Sequence, residues 1–436
     1  VYGTAEELLD SGRIEAVIIA VPHYFHPVYA IEAFKRGIHV MSEKPAGVYT
    51  RQVREMNKAA AESGVVFGLM FNQRTDHIYR KMRELVTSGK FGQIRRSNWL
   101  ITNWYRPQAY YDSGSWRATW SGEGGGVLLN QCPHNLDLWQ WICGMPTAIT
   151  AKMSFGRWHD IEVEDDVTIL AEYENGATGV FVTSTGDFPG RNRFEVTLDR
   201  GNILIDDGRL TVTELDMPEQ EFSAVNTEIF GRPGYRVYSP ETDGLNPQHI
   251  GVLNSFASAI LHGTPLVARG EEGINGLMIS NAAHLSAWTG KTVSLPIDED
   301  LYYNELMKRV AVSKRKPDTV SRVHMEHKPE TLRVGIVGVG NIGRVHAGSI
   351  FAGEVPGMTL SALCDTDAGK WELIKRTYPG IPVYGSHEEM FASGDIDCVI
   401  IATPHRFHPL IAADAFRAGL HVLSEKPAGV DWGAVR

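Results

Sequence analysis

His39–Val48 reads HVMSEKPAGV, and His421–Val430 reads HVLSEKPAGV. Outward from this pair, residues 1–54 align without a gap on residues 383–436, with roughly 32 of the 54 positions identical, which chance does not produce. The copies also differ, as in VIIAVPHYFHP (Val17–Pro27) against VIIATPHRFHP (Val399–Pro409), so they read as diverged paralogues in tandem. Around the first copy, the apolar run Ala16–Val21 predicts a strand buried on both faces of a parallel sheet. Pro27–Arg36 has helical spacing and Gly37 as its stop, and His39–Ser42 is the next strand. Arg51–Ser63 and Val65–Met70 continue the alternation as helix and strand. Such β-α-β units build an open α/β sheet that binds ligands where its strands end, and Glu43, Lys44 and Pro45 stand at that edge.

A phosphate-binding turn is absent from the first copy and stands far downstream. Arg333–Val337 (RVGIV) is a strand, followed by Gly338, Gly340 and Gly343 in the spacing G-x-G-x-x-G with Asn341 and Ile342 inside it, then a helix. A second strand, Thr359–Leu363, ends in Cys364 and Asp365, about 22 residues after the last glycine. Glycines let the backbone approach a pyrophosphate at a helix N-terminus, and the acid can bond both ribose hydroxyls. An acid there repels a 2′-phosphate, so NAD is favoured over NADP.

The order RVGIVGVGNIG, CD, VIIATPHRFHP, HVLSEKPAG resembles the dinucleotide-binding half of the Gfo/Idh/MocA oxidoreductases. Residues 1 to about 315 resemble a member lacking its first two strands and their glycine turn, and residues from about 325 to 436 the beginning of a second member. The resemblance implies a doubly wound Rossmann sheet plus an α+β substrate domain with a mostly antiparallel sheet, and a second, partial Rossmann unit at the C-terminus. The expected boundaries are 1–100 for the truncated Rossmann domain, 101–313 for the substrate domain, 314–331 for a linker and 332–436 for the second Rossmann part. Met325 looks like an old initiator inside a fusion. The resemblance also implies a cofactor-lining loop at Pro22 and His26, repeated at Pro404 and His408, with Glu43, Glu425 and Lys426 beside it.

Composition limits the partners. The 436 residues are 43% hydrophobic and 22% charged with a net charge of -10, a soluble globular composition that argues against nucleic acid and anionic membranes. No apolar run approaches the roughly 20 residues of a membrane span. Cys132, Cys143, Cys364 and Cys398 have neither metal spacing nor a disulfide framework, which suits the cytoplasm. His23 and His26 lack a third partner, so no metal is assigned.

Beyond Leu100 the chain turns aromatic and polar, with Trp104, Tyr105, Arg106, Tyr110, Tyr111, Trp116, Arg117 and Trp120 before the run Gly124–Gly126. Each alone reads as ordinary core or surface; as a group, with Trp116 and Arg117 foremost, they suit a carbohydrate ring. In GGGVLLNQCPHNLDLWQWICG, Asn130, His134 and Asp137 fall at i, i+4 and i+7 of a predicted helix. The resemblance makes this the catalytic helix, with His134 as base and relay and Asp137 facing substrate. Asn130 stands where many members have aspartate, and an amide orients a hydroxyl but takes no proton. Lys44, or Lys426 in the second copy, is expected to stabilise the developing alkoxide, with a pKa lowered by desolvation.

Ala151–Val212 alternates like strands, with turns at Glu174–Gly176 (ENG) and Asp206–Gly208 (DDG). His249–Leu261 and Glu272–Thr289 are predicted helices returning to the nucleotide-binding domain. The family's homo-oligomer interface lies on the outer face of this sheet, an expectation carried by resemblance. Three function classes stay open: an NAD-dependent dehydrogenase of a sugar, sugar derivative or cyclitol; a glycoside hydrolase using a transient hydride transfer; and a non-catalytic dinucleotide or sugar sensor. Two arrangements of the sheets also stay open: local pairing of the downstream strands with one another, or their exchange into the first copy.

Overall fold

The computed structural model describes residues 2–314 and 331–429. The predicted linker, apart from its two end residues, and Met325 lie outside the described residues. The chain divides into two compact units, 1–321 and 322–436.

The first unit opens with a parallel sheet of β1 (Ala16–Ile19), β2 (His39–Ser42) and β3 (Phe67–Leu69), in that order. Helix His26–Lys35 connects β1 to β2 and buries Ala30, Ala33 and Phe34, and helix Thr50–Ser63 connects β2 to β3 and buries Val53, Met56 and Ala60. One expectation fails here. β1 is an edge strand, pairing with β2 among the described residues, and Ile18 is 54% exposed. An apolar strand is buried on both faces only where it has neighbours and covering helices.

The first unit also holds a nine-stranded sheet of β4 (Ile94–Ile101), β5 (Ala148–Phe155), β6 (Glu164–Glu172), β7 (Thr178–Ser184), β8 (Asn192–Leu198), β9 (Gly201–Asp206), β10 (Arg209–Leu215), β11 (Tyr235–Tyr238) and β12 (Val293–Ser294). The order is 11-10-9-8-4-7-6-5-12, antiparallel except for β4 beside β7. The ENG turn joins β6 to β7 and the DDG turn joins β9 to β10, as predicted. β4 is central, so a domain boundary drawn after residue 100 falls inside a strand of this sheet. On the covered face Trp99 stacks on Phe194 at 4.2 Å, and Trp139 of helix Pro133–Cys143 stacks on Phe181 at 5.4 Å. Helices Gln248–His262 and Gly273–Thr289 return to the first sheet's layer. There the Asn281 side chain accepts from the Thr50 N–H and donates to the Val48 carbonyl, both at 3.1 Å.

The second unit is a five-stranded parallel sheet of β13 (Leu332–Val337), β14 (Met358–Cys364), β15 (Val383–Tyr384), β16 (Cys398–Ile401) and β17 (His421–Ser424), ordered 15-14-13-16-17. β13 is central, with both edges taken by β14 and β16. The downstream strands therefore pair locally, as loop-closure entropy favours. Strand order reverses at β13, the switch point where doubly wound sheets bind nucleotides.

Candidate active site

Lys44 leaves the end of β2, and its Nζ donates to the Asn130 carbonyl at 2.8 Å. Burial lowers its pKa, while Glu43 and Glu123 act in the opposite direction. Asn130 sits in a turn before the helix, not on it as predicted: the helix starts at Pro133, whose missing N–H suits a first-turn position. That helix carries His134 in its first turn, half-buried, with the edge of its ring toward Phe71 at 6.3 Å. Burial, and then the Lys44 charge, push the His134 imidazole down to about 3, so it is neutral at working pH. Its Nδ1 is buried with no hydrogen-bond partner among the described residues.

Asp137 is a correction. Its carboxylate is 1% exposed and both oxygens are taken by Arg74, Nε at 2.7 Å and Nη2 at 2.6 Å, with Gln140 donating at 3.1 Å. Arg74 also pairs with Glu272. Asp137 thus anchors the helix to the neighbouring segment Asn72–Thr75 and has no free face for a substrate. Trp116 and Arg117 pack on one another and on their neighbours. Arg117 Nη1 donates to the Tyr110 hydroxyl at 2.9 Å with its guanidinium over the Trp116 and Tyr110 rings, and Trp116 meets the edge of His23 at 5.5 Å.

Sequence reasoning missed Glu123, a buried carboxylate seven residues before Asn130 that accepts from the Asn130 side-chain amide and from the Ala118 N–H. The only signal was its place directly ahead of the glycine run. It missed Glu164 too, whose carboxylate accepts from the Gly126 N–H at 2.8 Å and the Leu128 N–H at 3.0 Å. A Cβ on Gly126 would meet the Glu164 carbonyl at 2.0 Å, so this part of the glycine run serves close backbone approach.

The loop histidines are more deeply built in than expected. His26 is 1% exposed, its ring nitrogens 2.7 Å from the Pro45 and Val21 carbonyls; His408 repeats this with Pro427 at 2.8 Å and Thr403 at 2.7 Å. Each ties its Glu-Lys-Pro loop to the preceding strand end, and Pro22 and Pro404 start the short 3-10 turn between them. Glu43 accepts from the Lys44 N–H at 3.2 Å, and Glu425 from the Lys426 N–H at 3.3 Å and from His346 at 2.8 Å. Lys426 itself is exposed.

The glycine turn fits a dinucleotide. Gly338 has φ +92°, a Cβ on Gly343 would stand 1.9 Å from the Gly338 carbonyl, and the space above Gly340 is open. Asn341 and Ile342 open the following helix, exposed at the mouth of the turn. Asp365, at the end of β14, accepts from the Val339 N–H at 3.0 Å and pairs with Lys370 at 3.2 Å. It therefore holds the turn. In the second unit His387, Glu388 and Asp414 approach closely enough to hold a cation, with the His387 ring nitrogens 3.3 Å from Glu388 and 3.1 Å from Asp414.

Residues 1–71 and 332–435 match the family described as "Oxidoreductase family, NAD-binding Rossmann fold", and residues 79–204 match "GFO/IDH/MocA C-terminal domain". The chain is 26% identical over 296 residues to 1,5-anhydro-D-fructose reductase of Ensifer adhaerens, covering 67% of this chain and 83% of that protein. It is 24% identical to scyllo-inositol 2-dehydrogenase (NADP(+)) of Bacillus subtilis, covering 66% and 81%. A 30% identity to a carboxy-chloro-dihydroxycyclohexadiene dehydrogenase of Comamonas testosteroni spans 40% of this chain and less than half of that protein, 43%. Among solved structures, the WlbA dehydrogenase of Bordetella pertussis, in complex with NADH and UDP-GlcNAcA, superposes with a TM-score of 0.58 at 24% identity, covering 68% of this chain and 83% of that one.

Proposed function

Because this chain belongs to the Gfo/Idh/MocA oxidoreductases, with both of that family's domains matched, we propose that it transfers a hydride between a hydroxyl-bearing carbon of a sugar, sugar derivative or cyclitol and NAD. The observation that carries the reading is that Lys44 bonds the Asn130 carbonyl and acts by its charge on His134, while Tyr110 links the Asn130 amide to Arg117. The relatives that act on anhydrofructose and scyllo-inositol support the substrate class.

The nicotinamide cofactor, when bound, accepts or gives the hydride. The chain supplies the rest. Lys44, partly desolvated, offers a cation to the oxygen that gains charge as the hydride leaves. His134, neutral, takes the hydroxyl proton on its imidazole, and the negative charge developing beside it raises its basicity at that moment. Asn130 orients the hydroxyl, while Trp116 and Arg117 cover the ring. In the second unit, taken by itself, Gly338, Gly340 and Gly343 would cradle the pyrophosphate of a dinucleotide bound there and Asp365 its ribose. The exposed face of the nine-stranded sheet, where Leu170 lies 43% and Leu100 38% exposed, suits a homo-oligomer contact.

The test is NADH absorbance on mixing the full chain with NAD and a panel of free sugars, glycosides and inositols, beside Lys44→Ala. Turnover lost by roughly a hundredfold or more in the variant supports the dehydrogenase. NADH binding with no turnover of any panel member would refute it in favour of a sensor, the reading that Asn130 in the aspartate position favours.

A further inference from the structure

Asn130 is held from two sides. Its main-chain carbonyl accepts from Lys44 at 2.8 Å, and its side-chain Nδ2 donates to Glu123, whose carboxylate is 1% exposed and also accepts from the Ala118 N–H. The other end of the amide, Oδ1, lies 3.5 Å from the Tyr110 hydroxyl, which Arg117 holds at 2.9 Å. An ionised carboxylate only accepts, so it must face the NH2 end of the amide and leave the oxygen toward Tyr110; a protonated carboxyl can donate and take the opposite end.

We propose that Glu123 is a positioning residue that decides which end of the Asn130 amide meets the substrate oxygen. With Glu123 ionised, Asn130 presents Oδ1, an acceptor for the hydrogen of an alcohol. With Glu123 protonated, the amide turns and presents NH2, a donor to a carbonyl oxygen. The device restores to the site, through an amide, the dependence on a carboxyl that an aspartate at position 130 would have provided directly. It rests on the dehydrogenase reading for its role in turnover, though not for the coupling between the two side chains.

Burial pushes the Glu123 carboxyl up to about 7, against the hydrogen bonds from Ala118 and Asn130 and the Arg117 charge, which lower it. The other charged or titratable groups facing it are Glu164, Lys44 and Tyr111, and His23 Nδ1 lies 3.1 Å from its main-chain carbonyl.

The first experiment needs no substrate. In the full chain labelled with 15N-asparagine, the Asn130 side-chain NH2 resonance, identified by its loss in Asn130→Ser, is followed from pH 5 to 9. A shift with a midpoint near 7 in the parent, absent in Glu123→Gln, is expected. A resonance that does not titrate, or that titrates identically in Glu123→Gln, overturns the proposal. If Glu123→Gln fails to fold, Glu123→Asp is read the same way, and an unmoved midpoint overturns it. The second arm is turnover of the fastest panel member with NAD. Alcohol oxidation should fall at least tenfold in Glu123→Gln, with partial recovery in Glu123→Asp, and in the parent kcat/KM should rise through the same midpoint. Turnover insensitive to Glu123→Gln overturns the role in catalysis. Asn130 titration without turnover would refute the dehydrogenase reading and leave the coupling standing.

Discussion

Lys44 and Lys426 occupy the same motif, yet the first is packed against Asn130 and the second is exposed. Sequence identity made both look equally functional; the difference comes from the segment before helix Pro133–Cys143, which reaches Lys44 through the turn at Asn130. Asp137 failed in the opposite way. Its spacing from His134 is right for a shared helix face, but spacing says nothing of Arg74, 63 residues away in the chain, which claims both of its oxygens. Removing one partner of a buried pair leaves an uncompensated charge, so Arg74→Met should lower the unfolding free energy by about 3–5 kcal/mol in urea titrations. If Asp137 met the substrate instead, Asp137→Asn would raise KM while leaving stability unchanged. Glu123 was illegible for a related reason: a glutamate before a glycine run reads as solvated loop, and only the fold puts it in the core beside Asn130.

Elements were more legible than residues because their signals are local. The ENG and DDG turns fixed two hairpins, and G-x-G-x-x-G placed β13 ahead of its helix. What local signals could not supply was context. The segment VII is buried throughout in β16, beside β13, whereas in β1, where no described strand takes the outer edge, Ile18 is exposed and only Ile19 is buried. The helix predicted through Asn130 likewise begins only at Pro133. The glycine turn gives a paired prediction. Gly343→Ala puts a Cβ 1.9 Å from the Gly338 carbonyl, so it should distort the turn, with a lowered Tm and NADH binding weakened about tenfold or more. Gly340→Ala meets open space and has φ -81°, so the fold should keep its Tm while NADH binding falls similarly. NADH fluorescence and thermal melts separate the two; equal Tm losses would mean that both glycines serve the turn alone.

The ionisation of the site reaches the stability of the whole molecule, because its groups are buried and titrate away from their unfolded values. His134 has a folded pKa of about 3 against an ordinary value of 6.5, so between these limits the unfolded chain binds the extra proton. Its contribution is present above the unfolded pKa and is lost as pH falls, a slope of about 1.4 kcal/mol per pH unit. Glu123 has the opposite sign. Its folded pKa of about 7 lies above the ordinary 4.5, so the native state binds the extra proton and stability is lost as pH rises through that window, again by about 1.4 kcal/mol per unit. His23 and His26, both lowered by burial, act in the same direction as His134. Between about pH 4.5 and 6.5 the His134 and Glu123 slopes therefore oppose each other within one site. Single substitutions should expose them with opposite signs in urea titrations across that range. Relative to the parent, His134→Gln should make stability rise less steeply with pH, and Glu123→Gln should make it rise more steeply, each by about 1.4 kcal/mol per unit. Parallel curves for parent and Glu123→Gln would mean that Glu123 titrates in the folded chain as it does in the unfolded one. The carboxyl would then be ionised throughout the working range and could not turn the Asn130 amide.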